Sequence, residues 1–226
     1  MGRFSVVDSL GFKGVKQAKS WFRNLLVLFQ FSVTIFLIAA TLMVQRQMHL
    51  ITEESLGFNK EQVILVRNAY YLERPETVME ELRKEPEILQ AAISAFVPGD
   101  KFTNWGFGAE EIEGSFSLNA NLVSPGYLET MGLEMAEGRF FSREYGSDST
   151  GIILNETAAR LLDYDDPLGK KTYLWNDRNR AYEIIGVVRD YHWESKHMEI
   201  RPQAIMSLDS EVSYRPGYLS VRFSGS

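Results

Sequence analysis

Leu25–Val44 reads LLVLFQFSVTIFLIAATLMV: twenty residues, of which sixteen are apolar, four are uncharged polar and none is charged. At 1.5 Å per residue a helix of this length is about 30 Å long, the thickness of a bilayer's hydrocarbon core. Thirteen of the twenty are Leu, Ile, Val or Phe. Their insertion free energies sum to about −5 kcal/mol, before the opposing cost of Gln30 and the hydroxyl side chains. A cleaved signal peptide has a shorter apolar region, about 7–15 residues, and a small-residue cleavage site that does not follow Val44. The stretch predicts a transmembrane helix over 25–44, with a buried helix of a soluble protein as the rival reading.

The flanks of this helix differ in charge. Residues 1–24 carry five basic side chains against the single acid Asp8, a net of +4, while the remainder holds 19 basic and 29 acidic residues, a net of −10. The positive-inside rule then places a basic arm (1–24) in the cytoplasm and the acidic bulk outside, with Trp21 and Phe22 at the interface. The acidic excess also argues against a nucleic-acid partner. With no cysteine in the chain, disulfide frameworks, thiolate metal sites and cysteine nucleophiles are excluded.

One stripe of the span is polar. At 100° per residue Gln30, Thr34, Leu37 and Thr41 fall on one side, in line with Arg23. Such a stripe suits a helix-packing face, where amides and hydroxyls bond across helices, and its expected partners are other transmembrane helices or a second copy. Past the membrane the helical spacing continues through Val44, Met48, Ile51 and Ser55 to Gly57, which predicts a stalk helix over 45–57.

Beyond it lies an α+β domain, 58–226. Val63–Val66 reads as a strand, Pro75–Leu82 as a helix with Pro86 behind it, and Ile88–Val97 as a strand, together a β-α-β unit. Residues 98–117 read as a turn-rich loop and 118–123 as a strand. A helical turn follows at 127–131, then a corner at Gly138-Arg139. Ile152–Leu154 is a strand and Asn155 caps a helix over 156–162. Tyr182–Val188, Ile205–Leu208 and Tyr218–Phe223 are further strands, which suggests a mixed sheet.

Nothing in this domain predicts catalysis, a metal or a cofactor. Gly106-Phe107-Gly108 resembles half of a dinucleotide fingerprint, but no helix or third glycine follows. Asp163, Asp165 and Asp166 resemble a calcium loop interrupted by Pro167. His192 and His197 want a third ligand, and Ser195-Lys196 is no nucleophile–base pair by itself. Asn155-Glu156-Thr157 is a glycosylation sequon that the capping role explains equally well.

Five ordered blocks carry a wider likeness: WFRNLLVLFQFSVTIFLIAATLMVQRQ, LGFNKEQVILVRN, VSPGYLETMGLEMAEGRFF, IILNETAARLL with DDPLGKK, and EIIGVVRDYHWESKHMEIRPQAI. Over residues 20–226 the chain resembles the permeases of MacB/FtsX-like ABC transporters, in the Bacteroidetes form. The resemblance implies a MacB-like periplasmic core domain of two subdomains, one of them inserted in the other. It also implies a non-catalytic membrane subunit of an inner-membrane exporter or mechanotransmission complex. Its partners would be an ABC ATPase subunit and periplasmic or outer-membrane components. Three further transmembrane helices belong to the family after the core domain, so the resemblance implies a fragment of a longer permease. A single-span sensor with an extracytoplasmic ligand-binding domain is the alternative, though a 24-residue arm is short for an output domain.

Overall fold

The computed structural model describes residues 13–53, 57–59, 61–101, 103–110, 112–142, 144–164, 166–195, 197–210, 212 and 214–225. The chain divides into two units, Met1–Glu54 and Ser55–Ser226. The first contains a single helix, α1 (Lys13–Glu53), of 41 residues. Residues 13–24 of the basic arm belong to this helix and run into the span without a break. From Val15 to Glu53 it holds neither glycine nor proline, the residues that most readily interrupt a helix. Trp21–Met48 is long and apolar enough to cross a membrane, and none of its most apolar stretch is buried. An apolar surface of this extent left exposed argues against the rival reading of a soluble core helix, which buries such a surface. Of the stalk helix expected over 45–57, residues 45–53 are helical, while residues 54–56 lie outside the described residues. Gly57 itself has φ +77°, and a Cβ there would stand 2.8 Å from Tyr191 Cα and the Asp190 carbonyl.

The second unit orders its elements as β1 (Val63–Arg67), α2 (Pro75–Leu82), β2 (Ile88–Ser94), β3 (Thr103–Ala109), β4 (Ile112–Val123), α3 (Tyr127–Met131), β5 (Met135–Gly138), β6 (Gly151–Asn155), α4 (Glu156–Leu161), β7 (Lys171–Leu174), β8 (Asp177–Val188), β9 (Gln203–Ser207) and β10 (Tyr218–Phe223). The strands join in the order β1-β10-β2-β4-β3-β7-β8-β6-β9, with β5 beside β8. Because β9 also pairs with β4, the six strands β4, β3, β7, β8, β6 and β9 close into a ring. The pairings β4–β9 and β6–β8 are parallel and the others antiparallel, so the sheet is mixed as the sequence predicts.

Two hydrophobic clusters accompany this topology. The larger fills the ring with Phe107, Leu118, Leu122, Ile152, Leu154, Tyr182, Ile184 and Met206 among others. The smaller sits where Met79 of α2 covers Ala91, Ile93, Leu219 and Val221. The two lobes meet at a narrow waist, where β2 and β4 pair only at Ser94 opposite Val123. Ala95 N–H donates to the Leu122 carbonyl at 2.8 Å and Ser124 N–H to the Ile93 carbonyl at 2.8 Å. Asn121 extends the join, its side chain bonding both the N–H and the carbonyl of Phe96 at 3.0 and 3.2 Å. The expected β-α-β unit is present but split, since β10 lies between β1 and β2 and runs antiparallel to both.

The expected loop over 98–117 is the main correction. Residues 103–109 and 112–123 form a hairpin, β3 with β4, in which Phe107 pairs with Phe116 and Trp105 with Leu118. Gly106 and Gly108, within the stretch read as a loop, are strand glycines. Gly106 lies against Trp175 Cβ, and a Cβ on Gly108 would overlap the Tyr173 ring, both aromatics belonging to the neighbouring β7 segment. Glycine within a strand marks such a close approach as readily as it marks a turn. Gly108→Val is therefore expected to displace Tyr173 and lower stability by about 1–3 kcal/mol, the usual cost of overpacking. Chemical denaturation of the chain in detergent would read this, and an unchanged midpoint would show that the ring yields freely.

Asn155 performs the capping role and more. Its Oδ1 accepts from Ala158 N–H at 2.9 Å and Gln203 N–H at 2.8 Å, while Nδ2 donates to Asp190 Oδ1 at 2.8 Å and the Arg201 carbonyl at 3.1 Å. Fully buried, it is closed to glycosylation, and the sequon is incidental. Asp190 also accepts from the Thr157 N–H and hydroxyl and from Arg160 Nη2 at 2.8 Å. One polar knot thus ties β6, α4, the end of β8 and the start of β9. Asn155→Ala removes all four bonds and strands buried partners, so a loss of about 2–4 kcal/mol is expected. A loss near zero in a denaturant titration would mean that the knot carries no stability.

Candidate functional site

The helix of the first unit presents the predicted stripe in a modified form. Thr34 Oγ1 donates to the Gln30 carbonyl at 2.9 Å and Thr41 Oγ1 to the Leu37 carbonyl at 2.8 Å. Ser32 does the same to Leu28 at 2.9 Å. Hydroxyls in a helix satisfy their donors in this way on the turn before them. What remains of the stripe is the Gln30 side-chain amide, which has no hydrogen-bond partner among the described residues, together with the acceptor lone pairs of the two threonines. A primary amide in hydrocarbon needs a partner, so Gln30 is the polar centre of the face.

In the outer unit the approach to β1 is held by one buried arginine. Arg222, on β10, donates from Nε to the Thr130 carbonyl at 2.8 Å, from Nη2 to the Asn59 carbonyl at 2.8 Å and from Nη1 to the Glu61 carbonyl at 3.4 Å. Loss of hydration pushes its guanidinium below the usual arginine value. The cation is solvated by three backbone dipoles in place of water. Asn59 N–H donates to the Met131 carbonyl at 2.9 Å and Phe223 N–H to the Gln62 carbonyl at 3.0 Å. The first described residues of this unit are therefore laced to α3 and β10. The signal for Arg222 is present in YLSVRF, a strand with one charged residue, but spacing does not say what that charge would bind.

Between the lobes runs a cleft of about 600 Å³. Its apolar floor includes Met79, Ile93 and Leu208, and its rim carries Glu76, Tyr145 and Asp209. Asp148, also on this wall, is neutralised by Arg139 at 2.7 Å and accepts from Ser142 N–H at 2.7 Å. Tyr127 and Tyr191 are fully buried nearby in the core, and burial raises both phenols well above the ordinary tyrosine value. They stay protonated and act as packing.

The chemical motifs of the sequence do not converge. Among the described residues no three of His, Asp, Glu or Cys approach closely enough to hold a metal ion. His192 lines only a hollow of about 10 Å³ beside Asn119 and Gln203. Asp166 accepts from Leu168 N–H at 3.0 Å in a turn, while Asp165 and Lys196 lie outside the described residues.

Residues 28–224 match the MacB-like periplasmic core domain. No curated protein matches the chain. Among solved structures the chain is similar to the periplasmic region of MacB from Actinobacillus actinomycetemcomitans, with 18% identity and a TM-score of 0.53 over 78% of this chain and 80% of that one. It is also similar to the extracellular domain of the ABC-type transporter YknZ from Gram-positive bacteria, with 18% identity and a TM-score of 0.48 over 67% and 73% of the two chains. A family match over residues 28–224, which takes in most of the apolar helix and nearly all of the second unit, carries the assignment: the chain belongs to the family of the MacB-like periplasmic core domain, in the permeases of MacB/FtsX-like ABC transporters.

Proposed function

We propose that this chain is the non-catalytic membrane subunit of an ABC exporter or a related mechanotransmission complex. Its N-terminus is cytoplasmic, its outer unit lies in the periplasm, and the membrane is the bacterial inner membrane. ATP is hydrolysed by a partner ATPase, and α1 carries the resulting movement outward. The observation that supports this reading is the continuity of α1 over Lys13–Glu53. At 1.5 Å per residue it is a rod of about 60 Å, twice the hydrocarbon thickness. A rod transmits displacement only while its hydrogen bonds are unbroken.

Gln47→Pro tests the rod, since an interior proline removes a backbone bond and costs about 3 kcal/mol or more. In the complete transporter, export should fall while ATP hydrolysis and the folded outer unit persist. Export at the wild-type level would sink the lever. Orientation is tested separately. Protease added to spheroplasts should digest the chain beyond about residue 60 and spare the basic arm, and a protected outer unit would reverse the topology.

The stripe Gln30, Thr34, Leu37 and Thr41 is proposed as the surface on which other helices of the transporter, or of a second copy, pack. Replacing Gln30, Thr34 and Thr41 by Leu should weaken that association by about 0.6–2 kcal/mol, most of it from Gln30, since the hydroxyl donors are already used. Unaltered assembly in bilayers would make the stripe incidental.

A further inference from the structure

Where β1 ends, the outer unit carries a hollow of about 690 Å³ that no motif of the sequence marks. Pieces of chain far apart in sequence build its walls, and backbone bonds fasten them together. Arg67 is the last residue of β1 and stands opposite Tyr218, the first of β10, and side chains paired in this way share a face. Asn68 then turns left-handed, at φ +62°, into the short helical turn Ala69–Tyr71, which carries Tyr70. Ala69 N–H donates to the Gly217 carbonyl at 3.1 Å, and Gly217 N–H donates to the Ser94 carbonyl at 2.9 Å. The segment 214–217, with Tyr214 and Arg215, is thereby tied both to that turn and to the end of β2. Tyr214 rests on Phe96, with 5.2 Å between ring centroids.

The charges that line this hollow are Arg67, Arg215 and Asp100. Asp100 is engaged elsewhere: its Oδ2 accepts from the Tyr218 hydroxyl at 2.7 Å and its Oδ1 from Lys101 N–H at 2.9 Å. The bond to Asp100 raises the Tyr218 phenol above the ordinary tyrosine value, so it stays protonated and donating. Arg67 is near enough to act on Tyr218 in the opposite sense. Arg215 acts likewise on Tyr70, against the rise that a hydrogen bond with Tyr71 brings. Neither arginine has an ion pair or a hydrogen bond among the described residues. The lining thus offers two unused guanidinium forks, aromatic walls and one carboxylate whose oxygens are already bonded.

We propose that this hollow binds a small organic anion, a carboxylate or phosphate carried on an apolar, planar body. A guanidinium fork matches the paired oxygens of either group. Two arginines less one aspartate leave the lining a net charge of +1, which favours an anion over a neutral or cationic guest. The rings of Phe96, Tyr70 and Tyr214 supply the apolar contact for the body, and the volume lies within the range of small-molecule sites. The site belongs to the outer unit alone, so it stands or falls apart from the lever of α1.

Calorimetric titration of the full chain in a non-ionic detergent tests it, with benzoate and phenyl phosphate as probes and uncharged benzamide as the control, each corrected for empty micelles. At least one of the two anions should bind saturably and one to one, and the tighter of them identifies the oxyanion that the hollow takes. Benzamide should bind at least tenfold more weakly. Arg67→Gln and Arg215→Gln should each weaken the anion about tenfold, the loss expected for a charge-assisted hydrogen bond, and the double variant should show no binding. Both side chains are exposed, and Arg67→Lys, which keeps the charge without the fork, should bind with intermediate affinity. Arg178→Gln removes a cation that lies over Trp175 at 4.1 Å, outside the hollow, and should change nothing. No saturable binding of either anion, benzamide as tight as benzoate, wild-type affinity in the double variant, or an equal loss in Arg178→Gln would each overturn the proposal.

Discussion

The parallel pairing of β4 with β9 is the constraint on which the outer unit depends. Without it the ten strands would form one long open sheet, and the apolar faces of β6, β8 and β9 would each need a separate cover. Closure turns those faces inward, so that Ile152, Leu154, Ile184 and Met206 bury one another.

The division into lobes follows from the same closure. β4 is the long strand of the hairpin, and it is asked to serve β3 and β9 within the ring and β2 outside it. Only its last residue can do the latter, Val123 opposite Ser94. Asn121 then supplies by side chain the pairing that the backbone cannot reach. The two-lobed arrangement of the strands thus has a local physical cause, a strand with more neighbours than it has sides.

Much of this was legible in the sequence. The apolar run of α1, the Pro75 start of α2, the cap at Asn155 and the buried strands β6, β8, β9 and β10 follow from composition and spacing, because burial on both faces or on a 3.6-residue stripe leaves a periodic trace. β3 was illegible because Gly106 and Gly108 are shaped by Trp175 and Tyr173, some seventy residues away, and local propensity carries no record of such neighbours. The short β5 and β7 were missed for a related reason, four-residue strands being too brief to show a period. Arg222 and Asp190 belong with them. A lone charge in an apolar strand and an acid after one signal that something must compensate them, but the compensating groups are backbone carbonyls, an amide and a helix start brought close only by folding. The stripe on α1 was visible as a pattern, yet the pattern could not tell hydroxyls that bond outward from hydroxyls that bond to their own turn.

Arg222 also sits at a mechanically particular place. β1 begins and β10 ends on the same side of an antiparallel pair, with Val63 opposite Arg222. Tension that draws the approach to β1 away from the end of β10 therefore peels the pair open from that side, breaking one bond at a time, whereas tension along opposite ends would load all five pairs together. Peeling is the weak direction for a sheet. The guanidinium fastens the first rung of that ladder with bonds to Thr130, Asn59 and Glu61, so the force needed to start the tear is set less by the strand than by one side chain.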